Sequence, residues 1–405
     1  MVRPWYRPSV RLVLYTGKGG VGKTTTAAAT AVTAAARGRR TLVASADAAH
    51  SLGDVLEQRL GAEPVRVAPN LDALEVDARQ EMAHHWGRIR DYLVALLRYQ
   101  GIEEIVAEEL ALLPGAEELT TLLAVEARVG DGAYDLVVVD CAPTDSTLRL
   151  LTLPEVVTGA LRVVLRVQQA LSTVVTPLAR ALLPMPLPGS EVFRDLERLL
   201  YQKLKRLRAL VVGPATSVRL VVTPERLVID EALRAWTDLA LFEVPCDAVV
   251  MNRLLPEAAL AEAFFRDWGR LQAERLREVE DCFAPLPVLA APLQDDEVTG
   301  LERLAAHGRE LFATCEPDAR LCAPQRLRFA RDGAGYRIEL PLPNAEPASL
   351  DVTKVEGDLV IRAGARRRAL RLPARMSALV LAGARLDGGR LVVRLAKSAG
   401  GGACA

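Results

Sequence analysis

Arg11-Leu12-Val13-Leu14-Tyr15 runs through Thr16 into Gly17-Lys18-Gly19-Gly20-Val21-Gly22-Lys23-Thr24, and an alanine- and threonine-rich stretch then continues to Arg37. An apolar run, a glycine-rich turn and a helix-forming run, in that order, decide the fold class. The turn fits G-x-x-x-x-G-K-[ST], and each residue type in it has a physical task. Glycines let the backbone wrap an anion so that successive N–H groups point inward. The N-terminus of the following helix adds its partial positive charge. Lys23 supplies a point charge for the β- and γ-phosphates of a nucleotide, and the Thr24 hydroxyl completes a Mg²⁺ shell. Gly17 to Thr24, with Thr25 behind them, are therefore the expected nucleotide-binding residues.

The surrounding pattern is that of a parallel α/β sheet. Strands are predicted at Arg11 to Tyr15, Thr41 to Ser45 and Tyr134 to Val139, and again at Arg219 to Thr223, Asp247 to Met251 and Pro287 to Ala290. Gly38 reads as the residue that ends the first helix. Two helical regions interrupt the sheet, at about 79–130 and 154–210, the second broken by the prolines of Leu183 to Gly189. Beyond about Pro324 the texture changes to short alternating strands separated by Asp332-Gly333, Glu356-Gly357 and Asp387-Gly388-Gly389. The expected architecture is a P-loop NTPase domain over 1–323, with a doubly wound, mostly parallel sheet and a helical subdomain. A small all-β sandwich over 324–397 and a flexible tail over 398–405 follow.

Composition limits the roles open to the chain. Of 405 residues, 51 are Lys or Arg and 51 are Asp or Glu, so bulk attraction to nucleic acid is not expected. There is no long uncharged apolar run, and Met1 to Pro8 leave no room for a signal-peptide core. These readings point to the cytoplasm, with peripheral attachment as the one membrane role left open. The six cysteines are scattered without C-x-x-C spacing, which speaks for reduced structural thiols.

With its second lysine, Lys18, the loop reads G-K-G-G-V-G-K-T-T. In this it resembles the dimeric P-loop ATPases that include arsenite-pump ATPases, tail-anchored-protein targeting ATPases, MinD/ParA-type ATPases and nitrogenase iron proteins. Further motifs narrow the likeness to the first two. Ser45 to Asp54 (S-A-D-A-A-H-S-L-G-D) is similar to their switch I, with Ala48 in place of a proline. Asp140 to Arg149 (D-C-A-P-T-D-S-T-L-R) is similar to their switch II, with Cys141, Asp145 and Ser146 replacing Thr, Gly and His. Thr223-Pro224-Glu225-Arg226, Asn252 and Pro292-Leu293 follow in family order. Gly357 to Ile361 and Ala384 to Val393 resemble the α-crystallin-like (small heat-shock) domain appended to some members.

The resemblance implies an ATPase that uses ATP and Mg²⁺. It further implies a homodimer closed around nucleotide, with Lys18 reaching the partner's nucleotide and acting with Lys23 and Asp47 as the catalytic set. Asp47 would orient the attacking water, Thr24 and Asp140 would hold the metal, the latter through water, and Asp140, Pro143 and Thr144 would form switch II. Asn252, Pro292 and Leu293 would contact the base. By the same resemblance the partner is a hydrophobic or membrane-protein client. The alternative is the ATPase subunit of a metalloid anion pump, which needs clustered soft thiolates. A membrane- or DNA-bound switch and an iron–sulfur reductase lack their marks, an amphipathic terminus or basic charge and cluster-ligating cysteines respectively.

Overall fold

The computed structural model describes residues 10–46, 51–75, 116–141 and 204–397. Among these residues eight strands form the main sheet: β1 (Arg11–Thr16), β2 (Thr41–Ser45), β3 (Val65–Ala68), β4 (Leu71–Glu75), β5 (Leu136–Asp140), β6 (Thr216–Val222), β7 (Cys246–Leu254) and β8 (Val288–Pro292). Their spatial order is β3-β4-β2-β5-β1-β6-β7-β8. Every pairing is parallel except β3 with β4. Leu-Val-Val-Val-Asp of β5 and all of β6 are buried, as continuous apolar runs must be when both faces of a sheet are covered. The order reverses around β1, so the carboxyl ends of β5, β1 and β6 open one crevice, the place where such sheets bind ligands.

Helix α1 (Lys23–Ala36) crosses from β1 toward β2 and packs on β1, β2 and β5. The hydroxyls of Thr26, Thr30 and Thr33 donate to the carbonyls of Gly22, Thr26 and Ala29 at 2.8, 2.7 and 2.7 Å, so a threonine-rich helix buries no orphan donors there. Its small side chains admit the helix Gly300–Leu311, where a Cβ on Gly308 would meet the Ala29 carbonyl at 2.8 Å. Gly38, at φ 86°, ends α1 as the sequence predicts. A short α2 (Ser51–Leu56), α3 (Ala116–Asp131) and α4 (Leu204–Val211) come next among the described residues, and α3 packs against α4. The rest of the expected helical subdomain lies outside the described residues. Helix α5 (Arg226–Leu241) links β6 to β7, α6 (Arg266–Cys282) links β7 to β8, and the Gly300–Leu311 helix is α7. The β1-α1-β2 and β6-α5-β7 crossovers run in opposite directions, and right-handed connection places their helices on opposite faces.

A buried ionic cluster fastens the end of this unit. Asp247 accepts from Arg11 at 2.8 Å and from Arg219 at 3.3 Å. Arg219, fully buried, also donates to Tyr15 Oη at 3.0 Å and to the carbonyls of Pro317 and Ala319 at 2.9 and 3.0 Å. Arg11 donates to the Asp318 carbonyl at 3.0 Å, and the Leu321 amide to Asp247 at 3.3 Å. Burial pulls Arg11 down to about 10 against the opposing pull of Asp247. Burial also works against the Arg219 charge, and Tyr15 and Asp247 more than offset it. Replacing Asp247 with Ala strands two desolvated guanidinium groups, at an expected cost of about 3–5 kcal/mol. Chemical denaturation should register that loss as a lower midpoint with unchanged slope.

The carboxyl-terminal unit is a seven-strand sandwich. β9 (Arg328–Asp332), β10 (Gly335–Pro341), β14 (Val380–Asp387) and β15 (Arg390–Ala396) form one sheet, and β11 (Leu350–Val355), β12 (Asp358–Ala363) and β13 (Arg366–Arg371) the other. Ile338, Leu340, Leu359, Ile361, Leu391, Val393 and Leu395 alternate into its core. The triplet Arg366-Arg367-Arg368 reads from sequence as the wet face of a hairpin, and the structure corrects that for two of the three. Arg366 pairs with Asp238 at 3.1 Å, while buried Arg368 donates to the Leu241 carbonyl at 2.6 Å and pairs with Glu243. With Thr237 donating to the Pro343 carbonyl at 2.5 Å, these contacts seat the sandwich on the end of α5.

Candidate active site

The carboxyl end of β1 turns at once into the loop, and two close approaches explain its glycines. A Cβ on Gly17 would overlap the Val221 carbonyl oxygen at the end of β6, and one on Gly22 would overlap the Asn252 amide at the end of β7. Gly22 also sits at φ 92°, a conformation L side chains rarely adopt, directly before α1. The loop is thus held between two neighbouring strands while its exposed crest, Gly19 and Gly20, faces outward.

Lys23 is 6% exposed, and its ammonium folds back to the Lys18 carbonyl at 3.3 Å. A cation this desolvated with one neutral acceptor is arranged to meet an anion. Beside it, the Thr24 hydroxyl donates to Asp140 Oδ2 at 2.6 Å and lies 3.2 Å from the Ser51 hydroxyl. Asp140 is fully buried at the last position of β5, which is registered against Tyr15 of β1. That register brings a carboxylate to the foot of the loop from 116 residues away in sequence. A hydroxyl and a carboxylate joined in this way, next to a buried lysine, fit a Mg²⁺–nucleotide.

The sequence-predicted residues fall into three groups. Gly17, Lys18, Gly19, Gly20, Val21, Gly22, Lys23, Thr24 and Thr25 form the loop and the first turn of α1, and Asp140 joins them. Asn252, 5% exposed, donates to the Val21 carbonyl at 2.9 Å and so braces the loop from β7, while Pro292 and Leu293 end β8 on the same edge. The Leu293 amide donates to the Leu254 carbonyl at 2.7 Å, tying that edge to β7. Asp47, Pro143 and Thr144 lie outside the described residues. Sequence reasoning passed over Ser51, although the quoted switch segment contains it. It also gave no role to Thr16, or to Thr223, which a quoted motif contains; their buried hydroxyls, at the ends of β1 and β6, have no hydrogen-bond partner among the described residues. Nothing in a strand-ending threonine marks it as such; only the fold reveals the orphaned donor.

A phosphate loop at the switch point of a mostly parallel sheet, with a threonine–aspartate pair behind it, defines a P-loop nucleotide-binding protein. The model for the anion-transporting ATPase family matches residues 10–313, and the chain belongs to that family. A second model, for an HSP20-like domain found in ArsA, matches residues 333–395, within the β-sandwich. The chain is 32% identical over 377 residues to "Putative arsenical pump-driving ATPase 1" of Aquifex aeolicus, covering 91% of this chain and 95% of that protein. A protein of Chlorobaculum tepidum with the same designation, unnumbered, is 33% identical over 91% of this chain and 92% of its own length. "ATPase ASNA1 homolog 2" of Paramecium tetraurelia is 27% identical over 73% of this chain and 92% of its length.

Proposed function

We propose that the protein is an ATP-driven conformational switch in which two copies close around Mg²⁺–ATP, and that it handles a hydrophobic protein client. The observation that carries the reading is the Thr24–Asp140 pair beside the buried, anion-seeking Lys23, all at the edge where the switch segments leave β2 and β5. In this mechanism Lys23 and the loop amides hold the β- and γ-phosphates. Thr24, and Asp140 through water, would hold Mg²⁺, which would neutralise charge on the transferring phosphoryl group. Asp47, two residues beyond β2, accepts a hydrogen bond from the attacking water and orients it. Lys18 supplies positive charge to the nucleotide of the second copy, where it stabilises charge that grows toward the transition state. Asn252 couples the loop to the base-side edge formed by Pro292 and Leu293. Loss of the terminal phosphate removes the anion that holds both switches, so closure is reversed by hydrolysis.

The names of the relatives favour a second reading, the energising of metalloid export. Metalloid capture needs thiolates, and burial pushes the thiols of Cys246, Cys282, Cys315 and Cys322 above their ordinary value, away from the reactive form. This counts against the pump reading. No helix among the described residues is long and apolar enough to cross a membrane.

The deciding measurement is subunit mass with and without Mg²⁺ and a non-hydrolysable ATP analogue, beside ATPase assays with and without arsenite or antimonite. The switch reading expects nucleotide-dependent doubling of mass, lost in Lys18→Ala, and no metalloid stimulation. A several-fold metalloid stimulation would transfer the case to the pump, and a monomer under every condition would remove the two-copy mechanism.

A further inference from the structure

The residue that closes α2 is out of keeping with its backbone. Glu57 follows the helix at φ 54°, in the left-handed region that side chains other than glycine enter only at a cost. The turn is a Schellman close. The Glu57 amide donates to the Asp54 carbonyl at 3.2 Å, and the Gln58 amide donates to the Gly53 carbonyl at 3.0 Å. Glycine suits such a position best, so a glutamate held there points to a task for its carboxylate.

That carboxylate reaches α7. The Thr299 hydroxyl donates to Glu57 Oε1 at 3.2 Å, and Glu57 Oε2 lies where a Cβ on Gly300 would meet it at 3.1 Å. Gly300, itself at φ 74°, leaves room for it. Thr299 is the N-cap of α7, yet its side chain caps nothing within that helix. The partial positive charge at the start of α7 instead meets a carboxylate supplied by α2.

The two elements joined in this way belong to the two ends of the proposed nucleotide site. At its start α2 places the Ser51 hydroxyl 3.2 Å from that of Thr24, and the Gly53 amide donates to Glu75 Oε1, at the end of β4, at 2.8 Å. Helix α7 is entered from Pro292 and Leu293 through a short loop, which Asp296 ties to Arg303 on the helix at 2.8 Å. We propose that Glu57 is a positioning residue for ATP hydrolysis. Through Thr299 it anchors the exit of α2 to the base-side edge, and so holds Ser51 against Thr24 at the end of the segment that carries Asp47. The inference rests on the nucleotide-switch reading above and needs no second copy.

The test compares wild type with Glu57→Gly, Thr299→Val, Thr299→Ser and the double variant Glu57→Gly/Thr299→Val. Steady-state ATPase assays, binding of a non-hydrolysable ATP analogue with Mg²⁺, and thermal unfolding are measured on each. Glu57→Gly and Thr299→Val should each lower kcat by about fivefold or more, while affinity for the analogue stays within about threefold. The double variant should be no slower than the slower single one, because both changes remove the same clasp. Thr299→Ser keeps the hydroxyl and should stay within about twofold of wild type. Without nucleotide, the unfolding midpoint of Glu57→Gly should match that of wild type, because relief of the left-handed φ offsets the lost hydrogen bond. A midpoint that falls while kcat holds would make Glu57 a cap for α7 and nothing more, overturning the proposal. Unchanged kcat in both single variants would overturn it as well, leaving the switch reading intact. A wild type without ATPase activity would remove that reading, and this inference with it.

Discussion

Lys23→Ala should abolish ATP binding at any concentration that saturates the wild type. Lys23 is 6% exposed, and among the described residues its ammonium has one neutral acceptor, the Lys18 carbonyl, so the folded protein already carries much of its desolvation. Two charge-assisted contacts to phosphate oxygens, at about 1.5–3 kcal/mol each, amount to about 3–6 kcal/mol. At 1.4 kcal/mol per tenfold, that is a loss of roughly 10²–10⁴ in affinity. A thermal-shift titration reads it directly. Nucleotide at 100 times its Kd stabilises the wild type by about 2.7 kcal/mol, and the variant should show almost none of that. The ligand-free variant should be no less stable than wild type, because a buried, poorly satisfied cation has been removed. A variant that lost stability without nucleotide and still shifted with it would show that Lys23 is a structural residue. Arginine is not a rescue here, since a planar fork cannot replace a point charge in so close a loop.

Asp47→Asn should leave ATP binding within a few-fold of wild type and cut turnover by about 10²–10⁴, the range that general-base positioning supplies. The substitution is chosen because it separates two roles. From sequence Asp47 also reads as a helix N-cap, although α2 as described begins only at Ser51. Asparagine caps as well as aspartate, so a capping role predicts normal hydrolysis by the variant. A positioning role predicts a protein that binds ATP, reaches its closed form and stays there. Single-turnover assays would separate slow chemistry from slow product release. Normal hydrolysis by Asp47→Asn would end the assignment.

How much of this was legible in sequence depended on whether a residue's task was local. The glycine-rich turn, α1 and the buried runs of β1, β2 and β5 are specified by neighbours in the chain, and they were found almost to the residue. The sandwich announced itself through its Asp-Gly turns, which lie at the predicted hairpins. Strands β9, β11 and β14 are short or largely exposed, so little apolar alternation marks them in the sequence. β3 and β4, likewise, sit at the sheet margin, where β3 has no buried residue. In the site, the P-loop was readable by motif, and Asp140 came to notice through the likeness of its segment to a switch II. That Asn252 braces Val21 from β7 is a long-range fact that no local pattern contains. The same is true of Arg368, whose partners lie more than a hundred residues away, and of Arg219, a cation inside a strand that periodicity would place among apolar residues.

The ionic cluster around Asp247 also says where the ATPase portion can be cut. The family match ends at residue 313, yet the chain beyond it supplies carbonyls from Pro317, Asp318 and Ala319 to two buried arginines, and the Leu321 amide to Asp247. A fragment trimmed at 313 would keep every motif of the nucleotide site. It would also lose the acceptors beneath Arg219 and Arg11, leaving guanidinium donors facing the gap. A fragment that continues past Cys322 retains the whole clasp and parts from the sandwich before β9 begins. The stretch between the two units thus belongs to the first of them, as the piece that closes its underside.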